Sequence, residues 1–154
     1  MAGTFYQIYM HIVIAVKGRK SLIKTHWEEE LYRYITGIIT NKEQKLLAIN
    51  GMPDHIHILI GMRPSCCLSD LVCELKKSSN EFINKNRYSY NKFEWQSGYG
   101  LFSHGHHSLD NIFKYIRNQK EHHKKISFRE EYTQLLKDFE IEFKDEYLFE
   151  WVED

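Results

Sequence analysis

One short run, His55-Ile56-His57-Ile58-Leu59-Ile60, carries the first chemical possibility in this chain. In a β-strand both imidazoles leave one face while the isoleucines fill the other. Two adjacent imidazoles can hold one divalent metal ion, although histidines that merely pack across strands give the same spacing. Further along, Tyr115 and Gln119 stand four residues apart in Tyr115-Ile116-Arg117-Asn118-Gln119, which puts a phenol and a carboxamide on one face of a helix. With a pKa of about 10, a phenol is a poor nucleophile unless positive charge gathers at the reaction centre. A metal that polarises a phosphodiester meets that need, and the Gln119 amide oxygen would be its third, uncharged ligand. Taken singly, these residues read first as a half-buried core tyrosine and a solvated glutamine.

The elements that must position them are legible in the hydrophobic pattern. Residues 4–16 alternate with period two and are rich in β-branched and aromatic side chains, the mark of a central strand. After a basic turn, residues 25–40 carry Trp27, Leu31, Tyr34, Ile35 and Ile38 at helical spacing, with Thr25 as a candidate N-cap and Glu28 to Glu30 in the first turn. Two short apolar runs, 45–50 and 55–61, flank Gly51-Met52-Pro53-Asp54, which has the chemistry of a hairpin turn. A second amphipathic helix is predicted over 69–85 and a fourth strand over 98–103. The resulting order, β-α-β-β-α-β, predicts an α+β fold with a ferredoxin-like antiparallel sheet. One further helix is expected over 109–125, carrying Tyr115, followed by an acidic helix and a short terminal segment.

Composition bounds the rest. The 154 residues, 42% hydrophobic and with only two prolines, suit a single domain over 1–154 and exclude disorder or a long linker. Cys66, Cys67 and Cys73 form no Cys-x-x-Cys pair, so neither a disulfide framework nor a cysteine zinc site is expected. No window has the apolar length of a membrane span and no signal peptide is visible, which places the expected location in the cytoplasm. The zero net charge hides a division: residues 1–126 hold 18 Lys+Arg against 11 Asp+Glu, and residues 127–154 hold 3 against 10. Basic clusters at Lys17, Arg19 and Lys20, at Lys76 and Lys77, and at Lys114, Arg117, Lys120, Lys124 and Lys125 fit a phosphate-tracking surface, and fit solvated helix faces as well.

Several of these segments together resemble a known family. The strand His11-Ile12-Val13-Ile14 with its basic turn, Met52-Pro53-Asp54-His55-Ile56-His57-Ile58-Leu59, and Tyr115-Ile116-Arg117-Asn118-Gln119 are similar to the IS200/IS605-type transposases. These are single-tyrosine members of the HUH (His-hydrophobe-His) nucleases. Trp95-Gln96, Gly98-Tyr99-Gly100, His122-His123, Ser127-Phe128 and Glu130-Glu131-Tyr132 resemble one branch of that family.

The resemblance implies that His55, His57 and Gln119 hold Mg²⁺ or Mn²⁺ and that Tyr115 is the nucleophile. The tyrosine would form a 5′-phosphotyrosine link with single-stranded DNA, a 3′-hydroxyl leaving. It further implies a homodimer, acting in a bacterial or archaeal cell on hairpin-bearing ends of an insertion sequence, in which the tyrosine helix can complete the partner subunit's site. Lys17, Arg19, Lys20, Arg117 and Lys120 are the candidate DNA contacts. Transesterification exchanges one phosphodiester for another, and no Gly-x-x-x-x-Gly-Lys motif is present, so no nucleotide cofactor is expected. A site of two imidazoles and one amide is uncharged, so its cation affinity should rise when DNA is bound.

Other residues stay open at this level. His104, His106 and His107, and also His122 and His123, read as solvated histidines, with His122 the best placed to join the site because it lies three residues from Gln119. His11 neighbours His55 if the strands pair centrally. Tyr88, Tyr90, Phe93 and Trp95, interleaved with Arg87 and Lys92, are either core or a platform for unpaired bases. Competing functions are a domesticated protein that binds hairpin DNA without mobilising it, and a His-x-His hydrolase of small phosphoesters.

Overall fold

A computed structural model describes residues 2–18 and 22–152. Strand β1 (Tyr9–Ala15) is followed by helix α1 (Thr25–Asn41), the hairpin β2 (Lys45–Met52) and β3 (His55–Gly61), helix α2 (Leu68–Lys85) and strand β4 (Gly100–His104). Then come α3 (Leu109–Arg117), α4 (Gln119–His122) and α5 (Phe128–Asp138). The sheet order is β2-β3-β1-β4 with each neighbouring pair antiparallel, so β1 and β3 are central. This is the ferredoxin-like α+β architecture expected from the element order.

Alternation decides which face each residue serves. Ile12, Ile14 and Val16 of the first strand segment join Ile56, Ile58 and Ile60 of β3 on one face, beneath Trp27, Leu31, Ile35 and Ile39 of α1 and Leu71, Val72, Leu75 and Ile83 of α2. The other face has two apolar patches. Ile112 and Ile116 of α3 cover Ala48 and Leu59, and Phe128, Tyr132 and Leu136 of α5 cover Val13, Ala15 and Phe102. His11, His55 and His57 project from this second face and are fully buried. The register explains their grouping: His57 lies opposite Val13, and His55 opposite Ala15.

The structure departs from the sequence expectation at element ends. β1 starts at Tyr9 rather than at residue 4, because Tyr9 pairs with both Gly61 and His104, where the two partner strands run out. Thr25 is the first helical residue rather than the cap, and Lys24 is the extended residue before it. The helix expected over 109–125 is interrupted: α3 ends at Arg117, Asn118 leaves helical geometry with φ −95° and ψ 15°, and α4 restarts at Gln119. β4 is shifted to Gly100–His104. Beyond α5 the chain returns across the second face, where Gln96 clamps it: its Oε1 accepts from the Glu150 N–H and its Nε2 donates to the Glu150 carbonyl, both at 2.7 Å. Phe149 and Trp151 then pack on Phe128 and Tyr132.

Gly51 shows how tightly the hairpin holds the first histidine. A Cβ there would overlap the His55 carbonyl oxygen and stand 2.7 Å from Ile56 Cα, and backbone atoms cannot swing aside. Gly51→Ala is therefore expected to destabilise the fold by about 2 kcal/mol or more, read as a shift of the urea midpoint at unchanged slope.

Candidate active site

The centre of the second face is a carboxylate that arrives on α5. Ser127 caps that helix, its Oγ accepting the Glu130 N–H at 3.2 Å. Phe128, Glu131, Tyr132 and Leu136 form the buried stripe, so Glu131 is the one acid carried inward on an apolar face, and it is 2% exposed. Its position near the helix N-terminus favours negative charge.

The two oxygens of Glu131 face different groups. Oε1 lies 3.2 Å from His55 Nε2, 3.0 Å from His57 Nε2 and 3.0 Å from His123 Nε2. Oε2 accepts a short hydrogen bond from the Tyr115 hydroxyl and a 2.9 Å bond from Gln119 Nε2, with His122 Nε2 3.4 Å away. Tyr115 and Gln119 thus share one partner despite the break at Asn118, and Gln119 Oε1 turns toward His55 Nε2 at 3.4 Å. The Tyr115 ring stands edge-on to His57 with centroids 5.7 Å apart, so the phenol and the paired histidines meet within one chain.

The outer nitrogens of the imidazoles are also held. His55 Nδ1 lies 2.7 Å from Asp54 Oδ1, and His123 Nδ1 lies 3.0 Å from the Ile126 carbonyl oxygen. Both partners accept only, so both Nδ1 atoms carry the proton, and in the neutral rings both Nε2 atoms present lone pairs. His57 Nδ1 is 2.7 Å from His11 Nε2, which places His11 beside His57 rather than His55. Phe128 stacks on the His55 ring at 3.8 Å and fixes its plane.

Two imidazole lone pairs therefore converge on a carboxylate oxygen, an arrangement that demands either added protons or a cation. His55, His57, His123 and Glu131 offer four ligand atoms within 4.8 Å of one another, so the residues present fit a metal ion. The chemical state of the cation-free site follows the same logic. Burial alone raises the Glu131 carboxyl, but His57 and the hydrogen bonds from His123, His55 and His57 outweigh it and hold the group well below the carboxylate range. Burial and the Glu131 charge push the Tyr115 phenol upward. Burial lowers His11 and His57, whereas at His55 the bonds to Asp54 and Glu131 overcome burial and raise it.

Sequence reasoning placed His55, His57, Tyr115 and Gln119 together and missed Glu131 and His123. His123, read as solvated, is buried against Glu131, whereas His122 is partly exposed and reaches only Oε2. The neutral site expected from His55, His57 and Gln119 becomes one with a buried negative charge. Of the candidate DNA contacts, Lys17 is exposed near Glu94 at 3.5 Å, and Arg117 lies over the Phe113 ring at 5.6 Å. The Lys120 ammonium is held by the Glu28 carboxylate and the Gly51 carbonyl. Arg19 and Lys20 lie outside the described residues. An open cleft of about 370 Å³ fronts Tyr115 and is bordered by Asn111, Lys114, Asn118, Glu121, His122 and Lys125.

Comparison with known proteins gives this fold and site a class, that of the DNA-processing transposases. Residues 4–119 match the family described as IS200-like transposase. The chain belongs to that family. It is 23% identical over 127 residues to the ISDra2 transposase TnpA of Deinococcus radiodurans, covering 77% of this chain and 89% of that protein. A crystal structure of a candidate transposase from Deinococcus radiodurans R1 superimposes with a TM-score of 0.61 at 25% identity, covering 77% of this chain and 95% of the other. A REP-associated tyrosine transposase bound to a REP hairpin shares the fold, with TM-score 0.61, 14% identity and coverage of 82% and 76%. The family match includes His55, His57, Tyr115 and Gln119 and ends before His123 and Glu131.

The shifted groups set a pH dependence for the metal-free protein. His11 and His57, lowered from 6.5, stay neutral when folded, so stability falls as pH drops below about 6.5. His55, raised, opposes them: its contribution is present below 6.5 and is lost as pH rises through its folded value. Glu131, lowered from 4.5, contributes above that value and loses its contribution as pH falls further. Urea midpoints measured across pH should decline on the acid side and steepen below about 4.5, and Glu131→Gln should remove the steeper part.

Proposed function

We propose that this transposase cleaves and rejoins single-stranded DNA at the ends of an insertion sequence through a covalent 5′-phosphotyrosine intermediate on Tyr115. The observation that carries the reading is the Tyr115 hydroxyl held at the edge of the His55, His57 and Glu131 cluster. In the resting site the phenol cannot ionise, since burial and the adjacent carboxylate both oppose it. His55, His57 and Gln119 would hold Mg²⁺ or Mn²⁺, which supplies positive charge to the scissile phosphate and to the developing phenolate.

In the proposed step the Tyr115 oxygen attacks phosphorus and the bond from phosphorus to the 3′ oxygen breaks. The departing oxygen takes up a proton from solvent to become a 3′-hydroxyl, and the phenolic proton is lost to solvent in the open cleft before Tyr115, with Glu131 Oε2 holding the hydroxyl in place until it is given up. Attack by another 3′-hydroxyl on the phosphotyrosine reverses the chemistry and joins a new strand, with no nucleotide consumed. The cleft before Tyr115, flanked by Lys114 and Lys125, suits an incoming backbone phosphate.

The proposed partner is hairpin-bearing single-stranded DNA, in keeping with the hairpin bound by the REP-associated relative. A homodimer acting in a bacterial or archaeal cytoplasm is part of the same proposal. In it, Tyr115 can serve its own chain's site, a reading supported by the 5.7 Å between its ring and that of His57, or be exchanged between copies. No helix among the described residues is long and apolar enough to cross a membrane.

Incubation with Mg²⁺ or Mn²⁺ and hairpin oligonucleotides from the DNA flanking the gene is expected to give an adduct stable to denaturing electrophoresis. The adduct should need the metal and disappear in Tyr115→Phe. Hairpin binding without any adduct would favour a domesticated hairpin-binding protein, and small-phosphoester hydrolysis that survives Tyr115→Phe would favour the hydrolase.

A further inference from the structure

The pair His55 and His57 does not exhaust the donors at the site, and the additional ones come from the segment beyond the family match. We infer that His123 and Glu131 complete the cation site, making it a preformed set of three imidazoles and one carboxylate for a nitrogen-accepting transition metal such as Mn²⁺, Co²⁺ or Zn²⁺ in preference to Mg²⁺. In that site Glu131 is a bridge, Oε1 toward the metal and Oε2 toward Tyr115. This inference rests on the proposed reading that His55 and His57 hold a divalent ion.

Three observations carry it. The first is directional: Asp54 and the Ile126 carbonyl fix the protons of His55 and His123 on Nδ1, so both Nε2 lone pairs aim at Glu131 Oε1. Without a cation the same contacts need added protons on the Nε2 atoms, whereas a metal ligand has its outer nitrogen tied in this way. The second is metric. With bonds of about 2.0–2.1 Å, the ligand atoms of a tetrahedral site lie about 3.3 Å apart. Glu131 Oε1 stands 3.0–3.2 Å from the three Nε2 atoms, close to that spacing, and all four donor atoms lie within 4.8 Å of one another. The third is rigidity. His55 is stacked on Phe128, His57 is backed by His11, and Glu131 sits on a capped helix, so the donors are placed before any ligand arrives.

The donor set decides the metal class. Mg²⁺ prefers an octahedron of oxygens and retains water, while imidazoles suit the later transition ions. The carboxylate brings the charge that two imidazoles and an amide lack, so tight binding no longer waits for DNA phosphate. Through its second oxygen, the same side chain holds the Tyr115 hydroxyl and the Gln119 amide. Glu131 is thus a positioning residue for the nucleophile as well as a ligand.

The test is calorimetric titration of the full-length, DNA-free protein with Co²⁺ and Mg²⁺, with visible absorption recorded for Co²⁺. Wild type is expected to bind one Co²⁺ at least tenfold more tightly than Mg²⁺, with the intense bands of a four- or five-coordinate ion. His123→Ala and Glu131→Gln, checked for intact fold by circular dichroism, should each weaken Co²⁺ at least tenfold. If His57→Ala abolishes binding while both of those variants stay within twofold of wild type, the inference is overturned and the His55 and His57 reading stands. Weak six-coordinate bands, or no binding without DNA, also overturn it and leave the adduct assay to judge the proposed function. If a variant fails to fold, weak six-coordinate bands in the wild-type spectrum still overturn the inference.

Discussion

The second face of the sheet is organised around one buried negative charge. A carboxylate taken out of water is costly unless its oxygens are met, and Glu131 meets that cost with three imidazoles on one oxygen and a phenol and an amide on the other. Those partners come from β3, α3, α4 and the turn after α4, and the charge itself comes from α5. The carboxylate thus ties the C-terminal helices to the sheet. The apolar patches on either side, Ile112 and Ile116 with Leu59, and Phe128 and Tyr132 with Val13 and Ala15, exclude water from the seam between them. That exclusion is why the groups around Glu131 depart from their ordinary protonation behaviour.

The ferredoxin-like frame makes this grouping possible. Crossovers through α1 and α2 cover one face with an ordinary hydrophobic core and leave the other face for elements that follow the sheet in sequence. Central strands give the histidines a fixed backbone, with pairing on both sides of β3. Function is then installed by the later helices, whose packing sets where Tyr115 and Glu131 fall. Under the proposed mechanism such an arrangement would preorganise Tyr115 and its charge partners before a flexible strand arrives.

Much of this was legible in the sequence, for reasons of locality. Period-two alternation in β1 and β3 and helical spacing in α1 and α2 are written in adjacent residues, so element types and their order follow directly. The joint placement of His55, His57, Tyr115 and Gln119 was also readable, because the first pair shares a strand face and the second a helix spacing. The break at Asn118 was not, since residues 109–125 contain neither glycine nor proline and their pattern continues as if helical. Glu131 was hidden differently. It lies 74 residues from His57, among acids whose sum reads as a solvated tail. Its signal was its place on the stripe of Phe128, Tyr132 and Leu136, where an acid would otherwise be out of place. His123 was hidden because only the turn to Ile126 directs its ring inward.

Everything proposed for the chemistry turns on whether the Tyr115 oxygen becomes bonded to DNA phosphorus. Proteolysis of the protein after reaction with single-stranded DNA, followed by mass spectrometry of the nucleotide-bearing peptide, tests it most directly. A nucleotide 5′-phosphate on Tyr115 and a released strand ending in a free 3′-hydroxyl are expected. A phosphate on any other residue, or cleavage that leaves a 3′-phosphate, would contradict it.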